Sequence, residues 1–152
     1  MKSFEVKNKL IHYFRIKRRY FFIATEVGKY NADVLVANSK EIIECEVKVS
    51  LADLKKDLKK KKHTIYANSR THYCPNKFYF AVPTELVDAA LLLTENSPYG
   101  VISVLEGKLL KKSKKCKIIK RAKLLKSRYC SKLESQIIKR MGSELLSLRI
   151  RS

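Results

Sequence analysis

Residues 41–49 alternate charged and apolar side chains, a pattern typical of a β-strand. Successive side chains of a strand point to opposite faces, so Glu44, Glu46 and Lys48 would share one face, with apolar residues between them on the other. Burying charges without partners is costly. We therefore expect this charged face to be exposed to solvent, paired internally or bound to a metal ion.

The rest of the chain shows further strand-like and helix-like periodicity. We predict strands over 20–27, 32–37, 41–49, 76–82 and 99–105, and helices over 4–16, from Ser50, over 84–93 and from Ser131. Ser50 opens a capping box with Asp53, which is typical of a helix start. This order of elements predicts an α/β fold, in which helices pack on a sheet.

A tight turn at residues 38–40 would join two of these strands into a hairpin. The hairpin would set Asp33 opposite residue 45 or 46, beside Glu46, so that two carboxylates and the Lys48 ammonium meet at one sheet edge. Carboxylate oxygens are ligands that Mg²⁺ prefers, and an ammonium can stabilise charge that develops on a phosphate. The spacing therefore predicts a metal-dependent site for phosphodiester hydrolysis.

The tripeptide that contains Glu46 and Lys48 carries little information alone. The pattern of an acid, any residue and a lysine occurs five times in this lysine-rich chain. Only the instance at residues 46–48 lies inside a predicted strand, after a strand that bears an aspartate and before a capped helix. Its context, rather than the tripeptide, indicates the site.

The chain is strongly basic, and its charges are segregated. Lys and Arg number 34 against 14 Asp and Glu, a net charge of +20. Residues 107–133 hold 12 basic residues and no acid, whereas seven of the 14 acids lie between Glu26 and Asp57. So much charge favours a polyanionic partner, with nucleic acid ahead of an anionic membrane surface.

Several classes of protein and site are disfavoured by the sequence. The chain lacks Gly-rich phosphate loops, which argues against an ATPase or a dinucleotide-dependent enzyme. His63, His72 and Cys74 match no zinc motif, and we expect them in a surface loop. The four cysteines form no C-x-x-C pair, and the sequence shows neither a signal peptide nor a membrane-spanning apolar run. We expect a cytoplasmic protein with reduced thiols and no membrane partner.

Four segments together resemble the PD-(D/E)XK nuclease superfamily and, more narrowly, its MmcB-like DNA-repair-associated members. These segments read NADVL at 31–35, ECEVK at 44–48, SLADLKKD at 50–57 and FYFAVP at 78–83. The resemblance spans about residues 20–105 and leaves the first 19 residues and the tail after 106 uncovered. Ala32 stands where the superfamily name has proline.

The resemblance implies a restriction-endonuclease-like core, with a central mixed sheet flanked by helices, and Mg²⁺- or Mn²⁺-dependent cleavage of DNA. It implies Asp33 and Glu46 as metal ligands and Lys48 as the catalytic lysine. Many members add a glutamate upstream of the aspartate; Glu26 is our choice, and Glu5 is its rival.

The chain would divide into a nuclease-like core, residues 1–106, and a basic helical extension, residues 107–152, that packs on the core or on a second subunit of a homodimer.

We expect Asp53 to cap a helix, and Asp57 either to pair with Lys61 or to reach the site.

Lysines outnumber arginines in the basic runs, which favours contacts to the phosphate backbone over base reading. The predicted DNA-binding residues are Lys55, Lys56, Lys59, Lys60, Lys62, Lys111, Lys112, Lys114, Lys115 and Lys117. The expected function is a structure-specific rather than sequence-specific nuclease in DNA repair, recombination or mobile-element biology. The alternatives are a non-catalytic nucleic-acid-binding protein with a degenerate nuclease fold, and an RNA-bound basic protein.

Overall fold

A computed structural model describes residues 1–67 and 73–152, so His72 lies outside the described residues. The helices are α1 (Ser3–His12), α2 (Leu51–Asp57), α3 (Lys61–Ala67), α4 (Val87–Leu93) and α5 (Ser131–Arg151). The strands are β1 (Phe22–Val27), β2 (Ala32–Ala37), β3 (Ile42–Val47), β4 (Lys77–Pro83), β5 (Gly100–Val104) and β6 (Cys116–Lys120). A π-helical turn, Tyr13–Lys17, extends α1, and a 3-10 turn, Thr84–Leu86, precedes α4.

The six strands form one mixed sheet in chain order, β1 to β6. Strands β1, β2 and β3 are antiparallel neighbours, β3, β4 and β5 run parallel, and β6 returns antiparallel to β5. The predicted α/β class with a central mixed sheet flanked by helices is confirmed.

The hairpin between β2 and β3 forms at the predicted turn. The Asn38 side-chain oxygen accepts hydrogen bonds from the backbone N–H groups of Lys40 and Glu41, each at 2.8 Å, which closes the turn locally. Val34 pairs with Cys45 across the two strands. The next pair toward the open end of the hairpin is therefore Asp33 with Glu46, within the predicted range.

Helix α1 covers one face of the sheet. Its buried residues Val6 and Leu10 pack in one cluster with Cys45 and Val47 of β3. The apolar face of β3 therefore packs against a helix, and its charged residues point to the opposite face.

The opposite face of the sheet is covered by the other helices. Leu133 and Ile137 of α5 pack against the β1–β2 end of the sheet, while α2, α3 and α4 surround Phe78 and Phe80 of β4. Full burial of a large apolar side chain contributes about 1.5–3 kcal/mol to stability, so both faces hold the sheet in place.

The extension after residue 106 departs from the prediction. The sequence predicted a basic helical tail, but Cys116–Lys120 form strand β6 at the sheet edge, where Ile118 packs on the α1 face. The β-branched pair Ile118 and Ile119 favours a strand despite the lysines around it. The helical part starts at Ser131, as its apolar spacing predicted, and its first turns pack on the sheet.

Candidate active site

The predicted site residues lie at one end of the sheet. Asp33 is at the start of β2, Glu46 is near the end of β3, and Lys48 directly follows β3. The Lys48 backbone N–H donates to the carbonyl of Ala81 at 3.1 Å, so this residue is still held by β4. The carboxyl ends of parallel strands meet at the same edge, which is where ligands bind in many α/β sheets.

Asp33 is tied to both neighbouring elements by its carboxylate. One oxygen, Oδ2, accepts the backbone N–H of Val47 at 2.8 Å, and the other lies 3.0 Å from the Lys7 ammonium of α1. The first contact fixes the carboxylate beside the end of β3. The second places a cation from α1 at the predicted metal ligand.

Glu26 joins Asp33 through the same lysine. Lys7 forms an ion pair with Glu26 as well, and the Asn31 side chain donates to Glu26 at 3.3 Å. Burial lowers the pKa of Lys7, but hydrogen bonds to Glu26 and Asp33 outweigh it and raise that pKa. Glu5, the rival acid, instead accepts the backbone N–H of Lys2 at the start of α1. The geometry therefore favours Glu26 as the acid associated with Asp33.

Glu46 is buried among lysines. It is 3% exposed, and its Oε1 lies 3.3 Å from the Lys48 ammonium and 3.2 Å from that of Lys60. Its Oε2 lies 3.1 Å from Lys62. Of the three outcomes that the strand pattern allowed, the structure shows internal pairing.

Asp57, at the end of α2, is part of the same cluster. Its Oδ1 lies 2.9 Å from Lys48 and 2.6 Å from Lys60, so Lys48 is held between Glu46 and Asp57. The sequence allowed either a pairing with Lys61 or a place in the site; the structure pairs Asp57 with Lys48 and Lys60. Burial raises the pKa of Asp57, but hydrogen bonds from His63, Lys60 and Lys48 outweigh it and hold that pKa below its usual range.

Lys62 differs from the other lysines predicted to bind DNA. Lys62 is 3% exposed, and its ammonium lies 3.0 Å from Glu44 Oε1. The other oxygen of Glu44 accepts a hydrogen bond from the Tyr66 hydroxyl. Burial lowers the pKa of Lys62, but Glu44 and Glu46 outweigh it and raise that pKa. The prediction that Lys62 contacts DNA is wrong, because its ammonium is buried as a counter-ion.

His63 is buried, not in a surface loop as predicted. Its Nε2 lies 2.9 Å from Asp57 Oδ2, and its Nδ1 lies 2.8 Å from the Tyr99 hydroxyl. Its ring packs edge-on against Phe78 at 5.4 Å. His63 therefore anchors the carboxylate of Asp57 from the side opposite Lys48.

The carboxylate oxygens of this cluster face ammonium groups. Glu46 Oε2 and Asp57 Oδ1 are buried, and lysine ammonium groups lie 3.1 Å from the first and 2.6 Å from the second. Within residues 1–67 and 73–152, no group of three or more His, Cys, Asp or Glu side chains is arranged to hold a metal ion. Mg²⁺ often takes only one or two protein carboxylates and keeps several waters, so Asp33 and Glu46 fit it in donor type.

Exposed lysines lie on segments that follow the ends of β3 and β5. The segment after β5 leaves from the end of the sheet that carries Glu46, because β3 and β5 are parallel. Lys115 is half-buried there, and its ammonium donates to the Glu106 carbonyl at 3.0 Å. The predicted DNA-binding residues that are exposed are Lys55, Lys56, Lys59, Lys60, Lys111, Lys112, Lys114 and Lys117.

Comparison with known proteins adds no assignment to this geometry. No family model, no curated protein and no solved structure matches the chain. None of the helices within residues 1–67 and 73–152 combines the length with the apolar character that spanning a bilayer requires.

Proposed function

We propose that this chain is a Mg²⁺- or Mn²⁺-dependent nuclease that hydrolyses DNA phosphodiester bonds, built on a restriction-endonuclease-like core. The observation that carries the proposal is that Asp33 lies opposite Glu46 in the β2–β3 register and that the Lys48 ammonium lies 3.3 Å from Glu46. Two carboxylates and an ammonium are the groups that metal-assisted phosphodiester hydrolysis needs.

Asp33 and Glu46 would hold the metal ion. When bound, Mg²⁺ supplies charge neutralisation at the phosphate and makes a water molecule more acidic. The hydrogen bond from the Val47 backbone keeps the Asp33 carboxylate oriented toward the end of β3. Lys7 would have to move off Asp33 as the cation binds, because both are attracted by the same carboxylate oxygen.

Lys48 would act on the phosphate directly. Glu46 and Asp57 take two of the three N–H groups of its ammonium, which leaves one for a phosphate oxygen or the attacking water. A fixed donor of this kind stabilises charge that develops in the transition state. Asp57 and His63 position Lys48 and do not themselves contact the substrate in this scheme.

The exposed lysines would bind the substrate through its phosphates. Lysine makes point-charge contacts that carry no base information, so binding would depend on DNA structure more than on sequence. The net charge of +20 supports a polyanionic partner. A role in repair, recombination or mobile-element biology fits structure-specific cleavage.

A second candidate function is non-catalytic nucleic-acid binding. The specific observation in its favour is that Lys7, Lys60 and Lys62 already neutralise the carboxylates on which a metal ion would depend. A degenerate nuclease would retain the basic surface and use these ion pairs only for stability.

Cleavage and binding measured side by side distinguish the two candidates. We expect wild-type protein to cut at least one member of a panel of labelled duplex, single-stranded and flapped DNAs in Mg²⁺ or Mn²⁺. Asp33→Ala and Glu46→Ala should abolish cleavage and leave binding intact or tighter, because each removes negative charge near the phosphate. Wild-type protein that binds the panel but cuts none of it would favour the non-catalytic alternative, and variants that cut at the wild-type rate would refute the metal assignment.

A further inference from the structure

A cavity of about 310 Å³ lies away from the carboxylate cluster, between the end of α1 and strands β4 and β6. Tyr79 and Ile118, which line it, belong to the α1 face of the sheet, opposite Glu46. Lys77, at the first position of β4, places the cavity at the starting end of the parallel strands. The cavity is therefore separate from the proposed nuclease site.

Tyr79 supplies the cavity with a hydroxyl group that is not engaged within the described part of the chain. Its side chain is 4% exposed, and its hydroxyl makes no hydrogen bond to the residues that the structure describes. Its ring lies directly on Gly100, where an added Cβ would come within 2.3 Å of a ring carbon. Glycine at this position leaves room for the ring, which holds the hydroxyl at the wall of the cavity.

Cations dominate the rim of the cavity. Arg18, Lys77 and Arg121 line it, and among residues 1–67 and 73–152 no carboxylate does. Lys77 is paired with Glu41 at 2.9 Å. Burial raises the pKa of Glu41, but its hydrogen bonds and the nearby Arg18 guanidinium outweigh burial and lower that pKa. Arg121 has no ion pair in the described parts of the chain, so one carboxylate balances three cations and leaves an excess of positive charge.

The backbone beside the cavity is unusual. Helix α1 continues into the π-helical turn Tyr13–Lys17, a rare geometry that occurs often at functional sites. Arg19, next in the chain after Arg18, has a φ of 57°, in the left-handed region that disfavours residues with a side chain. Such strain persists only where the surrounding structure holds it, and Arg18, the residue before it, lines the cavity.

We propose that this cavity binds a phosphate monoester, either on a free nucleotide or at the 5′ end of a nucleic acid. Arginine guanidinium groups match phosphate oxygens with paired hydrogen bonds, and the Tyr79 hydroxyl would donate a further one. The rings of Tyr13 and Tyr79 offer apolar walls for the sugar or base. The volume is at the lower end of the range for small-molecule sites.

Calorimetric titration of the full chain tests the proposal with two matched pairs of probes. One pair is adenosine monophosphate against adenosine, and the other is a 5′-phosphorylated against a 5′-hydroxyl tetranucleotide. We expect the phosphorylated member of at least one pair to bind more tightly. A preference within the first pair identifies a free nucleotide as the source, and a preference within the second identifies a nucleic-acid end.

Two variants and a control locate the site. Arg121→Gln removes a cation from the cavity, and Tyr79→Phe removes only the hydroxyl while keeping the ring on Gly100; each should weaken the phosphate preference about tenfold. Lys17→Gln removes an equal charge from an exposed residue that does not line the cavity, and it should change affinity by less than about twofold. The proposal is overturned if neither pair of probes shows a phosphate preference, or if that preference survives in both cavity variants.

Discussion

Replacing Lys62 with methionine would remove the counter-ion that Glu44 and Glu46 share in the interior. The ammonium lies 3.0 Å from Glu44 and 3.1 Å from Glu46, and all three side chains are at most 4% exposed. Removing one partner of a buried ion pair costs about 3–5 kcal/mol, because the remaining charge loses both water and its partner. We expect the free energy of unfolding of Lys62→Met to fall by about this amount at neutral pH.

Urea unfolding followed by circular dichroism measures this loss. With a urea dependence of about 2 kcal/mol per molar, a loss of about 4 kcal/mol moves the midpoint by about 2 M. Lys61→Met is the matched control, since Lys61 is the exposed neighbour in the same helix, and it should change stability by less than about 0.5 kcal/mol.

The double variant Glu44→Gln/Lys62→Met tests the pairing itself. Glutamine removes one of the two stranded carboxylates, so the double variant should lose less stability than the two single losses added together, by about 1–3 kcal/mol. Additive losses would refute the ion pair as the cause, and so would a Lys62→Met variant as stable as Lys61→Met.

Three further predictions concern the charges of the site and of the basic surface. The lowered pKa of Asp57 means that its ion pairs stabilise the fold above an unfolded-state pKa of about 3.9, and that this contribution is lost on acidification below it. Urea unfolding from pH 3 to 7 should therefore show a free energy of unfolding that depends less on pH in Asp57→Asn than in the wild type. An unchanged pH dependence would contradict the pairing. Lys60→Met removes an exposed cation from Glu46 and Asp57, so the variant should bind Mg²⁺ several-fold more tightly than the wild type. Calorimetry measures this affinity, and equal affinities would indicate that Lys60 does not compete with the metal. Neutralising four exposed lysines should reduce the slope of log affinity against log salt by about 0.9 for each duplex DNA phosphate that the protein no longer neutralises. Fluorescence anisotropy measures this slope, and an unchanged value would exclude this surface from DNA binding. The lysines to be changed to glutamine are Lys111, Lys112, Lys114 and Lys117.

Local patterns predicted the part of the site that depends on strands. The alternation in β3 correctly assigned Glu44 and Glu46 to one face, since both contact Lys62. The turn at Asn38 set the hairpin register that brings Asp33 beside Glu46. Both features follow from a side-chain period of two and from turn chemistry, which act over a few residues.

The contribution of the helices to the site was not predictable in the same way. A run of lysines at residues 59–62 does not reveal which ammonium points inward, because that depends on where α2 ends and α3 begins. The break after Asp57 turns Lys60 and Lys62 toward the carboxylates. His63 was missed because its partners, Asp57 and Tyr99, meet it only through packing of the folded chain.

Strand β6 was missed for a different reason. Lysines flank the isoleucines of Cys116–Lys120, so the segment was grouped with the basic tail. An edge strand tolerates lysines because one side of it faces solvent, and charge there protects the sheet from further pairing.

The most direct test of the proposed function is the single-turnover rate of DNA hydrolysis as Mg²⁺ is raised from zero, with protein in excess over labelled duplex, flapped and single-stranded DNA. For a metal-dependent nuclease we expect no product in EDTA and a rate that rises and saturates with Mg²⁺. We also expect a loss of at least about a hundredfold in Glu46→Gln at equal DNA occupancy, the scale at which removing one electrostatic catalytic group acts. Product formed in EDTA, or formed by Glu46→Gln at the wild-type rate, would contradict the proposed function. Saturated binding by wild-type protein with no cleavage at any Mg²⁺ concentration would also contradict it and would leave a nucleic-acid-binding protein whose buried carboxylates serve only its fold.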